Sequence, residues 1–121
     1  MPRQPRIAMG GYVYHVLNRA NGKARMFGAP KAYAEFEELL VEGNDQFRMR
    51  ILAYVPMPNH WHLLLYPRKD HDMPDFMRWL TTTHAAKFSH KTKTVGEGHL
   101  YQGRYKSFLV DTDNYLLTAL K

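Results

Sequence analysis

The centre of the chain holds two strand-like segments separated by a short interruption. Residues 48–55 and 60–66 both alternate with the period of two that a β-strand imposes. Pro56, Pro58 and Asn59 lie between them, and proline cannot continue a hydrogen-bonded ladder inside a sheet. The sequence therefore predicts two antiparallel strands joined by a proline-containing hairpin.

The segments on either side of this hairpin predict the remaining elements. Strand-forming residues follow Gly11, and apolar residues with helical spacing follow Pro30 and Asp72. Asp72 can cap the second of these helices, with Asp75 three residues later as in a capping box. Asp111 is a suitable N-cap for a last helix. The predicted elements are a strand over 11–19, a helix over 30–46, the two hairpin strands, a helix over 73–90, a strand over 99–110 that is irregular at Gly103, and the last helix.

The order of these elements predicts the fold class. The order β, α, β, β, α, β with a further helix is that of the split βαβ arrangement in ferredoxin-like α+β folds. There, an antiparallel sheet carries its helices on one face and leaves the other face open for a ligand. Because 121 residues suit one compact unit and no repeat or linker interrupts the pattern, we expect a single domain over residues 1–121.

The charge balance favours a polyanionic partner. Seventeen Lys and Arg against eleven Asp and Glu give a net charge of +6, distributed along the whole chain. Such charge concentrates phosphates near the protein, although it does not distinguish DNA from RNA or from an acidic membrane surface, and a merely solubilising basic surface is the alternative. The sequence has no apolar run of about 20 residues and no signal peptide, so we expect a cytoplasmic protein without a membrane partner.

The hairpin's second strand contains the most informative pair of residues. A strand sends His60 and His62 to one face and Trp61 and Leu63 to the other. Two adjacent imidazoles can bind one divalent ion if a third ligand comes from elsewhere, and the ion can act as a Lewis acid on a phosphate oxygen. The chain has no cysteine, so its metal ligands must be nitrogen or oxygen. The alternative is a pair of surface histidines on a half-exposed strand.

Two further histidines, His15 and His84, have roles that their predicted positions indicate. His15 lies on the first strand, which a ferredoxin-like sheet places beside the strand of His60, so it can line the site or serve a structural role. The structural role is the simpler interpretation of His15. His84 falls near the inner face of the second helix, where we expect it to pack.

A run of aromatic and cationic residues near the C-terminus favours nucleic-acid binding. Tyr101, Arg104, Tyr105 and Lys106 suit a single strand, because cations meet phosphates and rings stack on bases. Arg19 is a further candidate for contact with a DNA backbone. The alternatives are an ordinary strand with a charged outer face, and an RNA-binding domain on the same scaffold that would use tyrosines of the central strands.

These motifs together resemble a known family. Residues 57–64, Met-Pro-Asn-His-Trp-His-Leu-Leu, resemble the His-hydrophobic-His motif of the HUH nuclease superfamily, in particular its REP-associated and insertion-sequence tyrosine transposases. Residues 14–19 are similar to that family's first strand. Residues 101–107 and 111–117 are similar to its fourth strand and to the start of the helix that carries its nucleophile. The resemblance covers nearly the whole chain from residue 10.

The resemblance implies a metal-dependent enzyme that acts on single-stranded or hairpin DNA. A tyrosine hydroxyl would attack a DNA phosphate, leaving a 5′-phosphotyrosine link and a free 3′-hydroxyl, and His60 and His62 would hold Mg²⁺ or Mn²⁺. The ion is needed because a free tyrosine, with a pKa of about 10, is a poor nucleophile near neutrality. Homodimers are common in the insertion-sequence branch and less expected in the REP-associated branch.

The sequence departs from the family pattern in its last helix. The family's nucleophile precedes an Asn-Pro pair that this chain lacks, and the matching position falls just beyond Lys121. The resemblance therefore implies that the nucleophile, and the third metal ligand one turn later, lie outside these 121 residues. Tyr115 is the tyrosine of this helix, about two turns earlier on a similar azimuth, and is either an alternative nucleophile or a packing residue. A truncated or domesticated DNA-binding module without catalysis is thus the alternative function.

Overall fold

The structure is a computed structural model that describes residues 9–22, 25–92 and 100–110, with only the backbone described for residues 90–92. It contains strands and helices in the order predicted up to the fourth strand. The elements are β1 (Val13–Arg19), α1 (Pro30–Phe47), β2 (Arg50–Met57), β3 (His60–Tyr66), α2 (Asp72–Thr92) and β4 (Lys106–Val110). The predicted last helix lies outside the described residues.

The four strands form one antiparallel sheet in the order β2-β3-β1-β4. The first strand in sequence is therefore central and pairs with β3 on one side and β4 on the other. This is the strand order of a ferredoxin-like sheet and confirms the predicted α+β fold class.

The hydrophobic core lies between one face of the sheet and both helices. Tyr14 and Val16 of β1 and Trp61, Leu63 and Leu65 of β3 contribute the sheet side, and each is at most 1% exposed. Because side chains alternate along a strand, their neighbours His15, His60 and His62 must lie on the opposite face. The helix side of the core is formed by Phe36, Leu39, Leu40, Met73, Phe76, Met77 and Leu80.

The first strand of the hairpin differs from its prediction. It runs to Met57 and includes Pro56, which is tolerated because β2 is an edge strand and needs no further ladder on its outer side. Its register with β3 shifts between Ile51 and Ala53, so these two residues pair with Leu65 and Leu64 and lie on opposite faces. The regular alternation predicted over residues 48–55 is therefore interrupted here, because this irregularity inserts one extra residue.

The fourth strand is shorter than predicted. Residues 101–105 form a loop, tied to the end of β1 by a backbone hydrogen bond from Gln102 to Arg19 and an isolated bridge between Ala20 and Tyr101. Regular pairing with β1 begins only at Lys106. The start of α2 also differs, because the Asp72 carboxylate lies within the helix and accepts a hydrogen bond from the Lys69 amide instead of capping the helix.

The helices of the described residues are too short or too polar to span a membrane.

Candidate metal and nucleic-acid site

The two histidines of the central motif lie side by side on the face of the sheet that the helices leave open. His60 pairs with Met57 and Arg19, and His62 pairs with Val55 and Leu17, in the neighbouring strands. Their ring centroids are 5.1 Å apart. The predicted geometry of the pair is therefore confirmed, and Trp61 between them is fully buried on the helix side.

Each imidazole is held through its Nδ1 atom. Nδ1 of His60 lies 2.8 Å from Oδ1 of Asn59, which can only accept, so this nitrogen carries the proton. Nδ1 of His62 lies 2.9 Å from Nε2 of His15, and these two rings stack with centroids 5.1 Å apart. Among the described residues, no hydrogen bond occupies the Nε2 atom of either His60 or His62. His15 thus lines the site, a role that the sequence left open beside a structural one.

The surroundings favour the neutral form of all three rings. Burial lowers the pKa of His15, and burial together with the nearby Arg19 lowers the pKa of His60. The pKa of His62 is lowered by burial first, then by His15, His60 and Arg19. A neutral imidazole has the lone pair that a metal ion requires.

The donor set fits a divalent ion only in part. Neutral imidazole nitrogens suit several divalent ions, and His60 and His62 present two of them on one face. Within the described ranges, no group of three or more His, Asp or Glu side chains is arranged to hold a metal ion. The pair can therefore supply two ligands, and a complete site needs at least one more from elsewhere.

Three of the predicted DNA-binding cations lie together beside the histidines. Arg19, Arg104 and Lys106 line one groove of about 240 Å³ with Leu17 and Asn18. Lys106 pairs with Leu17, which in turn pairs with His62, so this groove opens next to the histidine pair. The structure thus brings these residues together, and their contact with DNA stays a prediction.

A larger groove of about 780 Å³ continues from the same loop along α2. It shares Asn18 and the loop residues 102–104 with the smaller groove, and it is lined on the helix by residues that include Arg78, Thr82 and Ser89. No acidic side chain lines it among the described residues. Sequence analysis missed Arg78 and Asn18, although the recurrence of small and hydroxyl residues on one face of α2 could have revealed the groove.

Tyr101 occupies a different environment from the one predicted. Its hydroxyl accepts a hydrogen bond from Nε1 of Trp61 at 3.1 Å and forms a second hydrogen bond with Nδ1 of His84. Burial raises the pKa of this hydroxyl. The hydroxyl is therefore engaged inside the protein, and only the part of the ring that lines the α2 groove can meet DNA. Tyr105 is partly buried and lines the same groove.

The two remaining sequence predictions concern His84 and Tyr115. His84 is buried at 7% exposure among Phe27, Phe36 and Tyr101, which confirms its packing role. Tyr115 lies outside the described residues, so its proposed roles are untested.

Comparison with known proteins assigns the family. Residues 8–120 match the family described as IS200-like transposase. No curated protein shows significant sequence similarity to the chain. Two solved structures share the fold, a REP-associated tyrosine transposase bound to a REP hairpin and a candidate transposase from Deinococcus radiodurans R1.

These structural matches extend over almost the whole chain. The REP-associated transposase is 18% identical, with 98% of this chain and 68% of that chain covered and a TM-score of 0.74. The protein from Deinococcus radiodurans is also 18% identical, with 98% and 94% covered and a TM-score of 0.70. The fold is that of a transposase-like domain. The chain belongs to the IS200-like transposase family.

Proposed function

We propose that this protein is a metal-dependent endonuclease and strand transferase for single-stranded DNA, acting on hairpin DNA through a 5′-phosphotyrosine intermediate. The observation that carries the proposal is the pair formed by His60 and His62. Both rings share the open face, both are held through Nδ1, and both have a lowered pKa.

The histidine pair would hold Mg²⁺ or Mn²⁺ together with at least one further ligand. When bound, the ion supplies Lewis-acid polarisation of the scissile phosphate. In the reaction, a tyrosine oxygen bonds to phosphorus, the bond between phosphorus and the 3′-oxygen breaks, and the released 3′-oxygen takes up a proton. The number of phosphoester bonds is unchanged, so the DNA can be rejoined by the reverse step.

The cationic groove supports a path for the DNA. Arg19 borders both the histidine pair and this groove, and Arg104 and Lys106 extend the positive charge away from it. Cations in such a row can bind successive phosphates without reading the sequence. We place the scissile phosphate at His60 and His62 and the flanking single strand along Arg19, Lys106 and Arg104.

The proposal that the substrate is a hairpin rests on the structural relative. That REP-associated transposase is bound to a REP hairpin, and its fold covers nearly all of this chain. The α2 groove, whose described lining contains Arg78 and no acidic side chain, offers this chain a further surface for a polyanion.

The test is formation of a covalent protein–DNA adduct. The protein is incubated with a labelled DNA hairpin that carries single-stranded flanks and with Mn²⁺, then separated on a denaturing gel. We expect an adduct from the wild-type protein and none from His60→Ala. Tyr115→Phe identifies the nucleophile, since loss of the adduct would assign it to Tyr115 and retention would assign it to another tyrosine.

Two outcomes would contradict parts of the proposal. Metal-dependent hairpin binding without an adduct would make this chain a DNA-binding module that lacks catalysis. An adduct that survives His60→Ala would remove the histidine pair from the chemistry.

A further inference from the structure

We infer that His15 is a positioning residue that accepts a hydrogen bond from Nδ1 of His62 and so directs the Nε2 lone pair of His62 towards the divalent ion. The inference rests on the proposed function, because it concerns the same metal site. It assigns His15 to the chemistry of the site, whereas the sequence favoured a purely structural role.

His15 and His62 are in direct contact through their ring nitrogens. Nε2 of His15 and Nδ1 of His62 are 2.9 Å apart, a normal hydrogen-bond distance, across 47 residues of sequence. A contact of this kind between adjacent strands is fixed by the sheet register, in which His62 pairs with Leu17 and His15 pairs with Leu64. Its geometry therefore depends on the central strands of the sheet.

Metal binding by His62 would fix which of the two rings donates this hydrogen bond. One proton must lie between the two nitrogens, and either ring can carry it, depending on the tautomers. If His15 donated it, neutral His62 would carry its own proton on Nε2 and could not bind a metal through that atom. Ligation through Nε2 of His62 therefore requires Nδ1–H of His62 as the donor and Nε2 of His15 as the acceptor.

The neighbouring ring, His60, makes an equivalent contact through its own Nδ1 atom. The Nδ1 proton of His60 is donated to Oδ1 of Asn59, which fixes the same tautomer in that ring. Metal-binding histidines generally donate their other ring proton to an acceptor, which orients the ring and raises its basicity. Asn59 performs this role for His60, and His15 completes the set for His62.

The position of His15 suits an orienting role. Its ring packs between the ring of His62 and Phe108 of β4, with centroids 5.1 and 6.2 Å away. An acceptor held on both sides in this way loses little conformational entropy when the site binds an ion.

The test compares Mn²⁺ affinity in the full chain, measured by electron paramagnetic resonance titration without DNA. We expect His15→Leu, which cannot accept a hydrogen bond, to bind Mn²⁺ about 10 to 100-fold more weakly than the wild type. We expect His15→Gln, whose amide oxygen can replace Nε2 as an acceptor, to restore most of this affinity. Thermal unfolding of the metal-free proteins reports separately on structure, and His71→Gln is an exposed control.

The outcomes separate this inference from the proposed function. If neither the wild type nor any variant binds Mn²⁺, the metal site of the proposed function fails. If His62→Ala abolishes binding while His15→Leu binds like the wild type, the positioning role alone is overturned. If His15→Gln binds no better than His15→Leu, the acceptor role is overturned.

A measurement on the wild type keeps the inference testable even if His15→Leu does not fold. Nitrogen-15 NMR of the metal-free protein at pH 8 should show the Nδ1–H tautomer for His62. The Nε2–H tautomer would overturn the inference. Pulsed electron paramagnetic resonance of the Mn²⁺ complex should show the same number of bound imidazole nitrogens in the wild type and in His15→Gln, and a loss of one would make His15 a ligand instead.

Discussion

At the scale of single residues, a buried hydrogen-bond chain supports the histidine pair from behind. Trp61 lies between His60 and His62 in sequence and points into the core, where its Nε1 donates to the hydroxyl of Tyr101. That hydroxyl also forms a hydrogen bond with Nδ1 of His84. The side chain of Trp61 points to one face of the strand, so its two neighbours point to the other face. The hydrogen bonds that fix Trp61 therefore help to hold the candidate site in place.

The first prediction concerns the hydroxyl of Tyr101. Tyr101→Phe removes the hydroxyl that forms hydrogen bonds with both Trp61 and His84, leaving two buried polar groups unsatisfied. We expect the free energy of unfolding to fall by about 1 to 3 kcal/mol in urea titrations. Tyr12→Phe is the control, since Tyr12 is 47% exposed and its loss of a hydroxyl should cost little. An equal loss of unfolding free energy in both variants would argue against the buried hydrogen-bond chain.

The second prediction concerns the pH dependence of stability. Burial lowers the pKa of His84 from 6.5 to about 4, so the unfolded state binds a proton more readily than the folded state. The contribution of neutral His84 to the free energy of unfolding is therefore complete above pH 6.5. It is lost as the pH falls from 6.5 towards 4, by about 3 kcal/mol in total.

Unfolding in urea at pH 7 and pH 4.5 can measure this effect. His84→Gln has no proton to gain, so its free energy of unfolding should fall less between these two pH values than that of the wild type. Carboxylates titrate equally in both proteins and cancel in the comparison. Parallel losses in the two proteins would show that His84 is not held neutral by burial.

At the scale of elements, the close approach of the two helices depends on one glycine. A Cβ atom at Gly43 of α1 would overlap the ring of Phe76 and lie 2.9 Å from Cζ3 of Trp79, both on α2. Phe76 is fully buried and has little room to move. Glycine therefore lets α1 pack closely against α2, above the sheet face that faces away from the histidines.

The third prediction follows from this packing. Gly43→Ala should lower the free energy of unfolding by about 1 to 3 kcal/mol through overpacking, although alanine favours a helix by about 1 kcal/mol. Gly28→Ala is the matched control, because an added Cβ there meets no atom within 4 Å. It should be neutral or slightly stabilising. A stable Gly43→Ala protein, measured by thermal unfolding, would show that the helices can separate.

The elements also show how far the sequence determines the structure. Alternation and helical spacing predicted four strands and two helices with ends correct to within a few residues, apart from β4, and the two-residue period placed His60 and His62 on one face. The irregularity near Leu52 and the late start of β4 at Lys106 could not be predicted, because both depend on hydrogen bonds to partner strands. The contact between His15 and His62 depends on the same long-range register.

At the scale of the whole molecule, the sheet separates the candidate site from the helical core. The histidine pair lies on the open face, and the basic residues Arg19, Arg104 and Lys106 gather at one edge of it. A third groove, of about 670 Å³ and lined by α1, α2 and the loop before α1, carries Arg25, Lys31 and Lys87 together with acidic Glu35 and Glu38. Since no acidic side chain lines the groove of Arg19, Arg104 and Lys106 among the described residues, that edge is the better surface for a polyanion.

The fourth prediction compares these two groups of cations. Replacing Arg19, Arg104 and Lys106 by alanine should weaken binding to single-stranded DNA. The slope of the logarithm of affinity against the logarithm of salt concentration should become shallower by about 2, at about 0.7 per phosphate contact. Replacing Arg25, Lys31 and Lys87 by alanine changes the net charge equally and should leave the slope nearly unchanged. Fluorescence anisotropy at several salt concentrations measures both. Equal slopes in the two triple variants would mean that DNA binding follows net charge alone.

The most direct test of the central claim, that His60 and His62 form a metal site on the open face of the sheet, is anomalous X-ray scattering from crystals grown with Mn²⁺. The account predicts an anomalous peak within bonding distance of Nε2 of both histidines, and its loss in His62→Ala crystals. A peak elsewhere, or none at the histidine pair at saturating Mn²⁺, would contradict it.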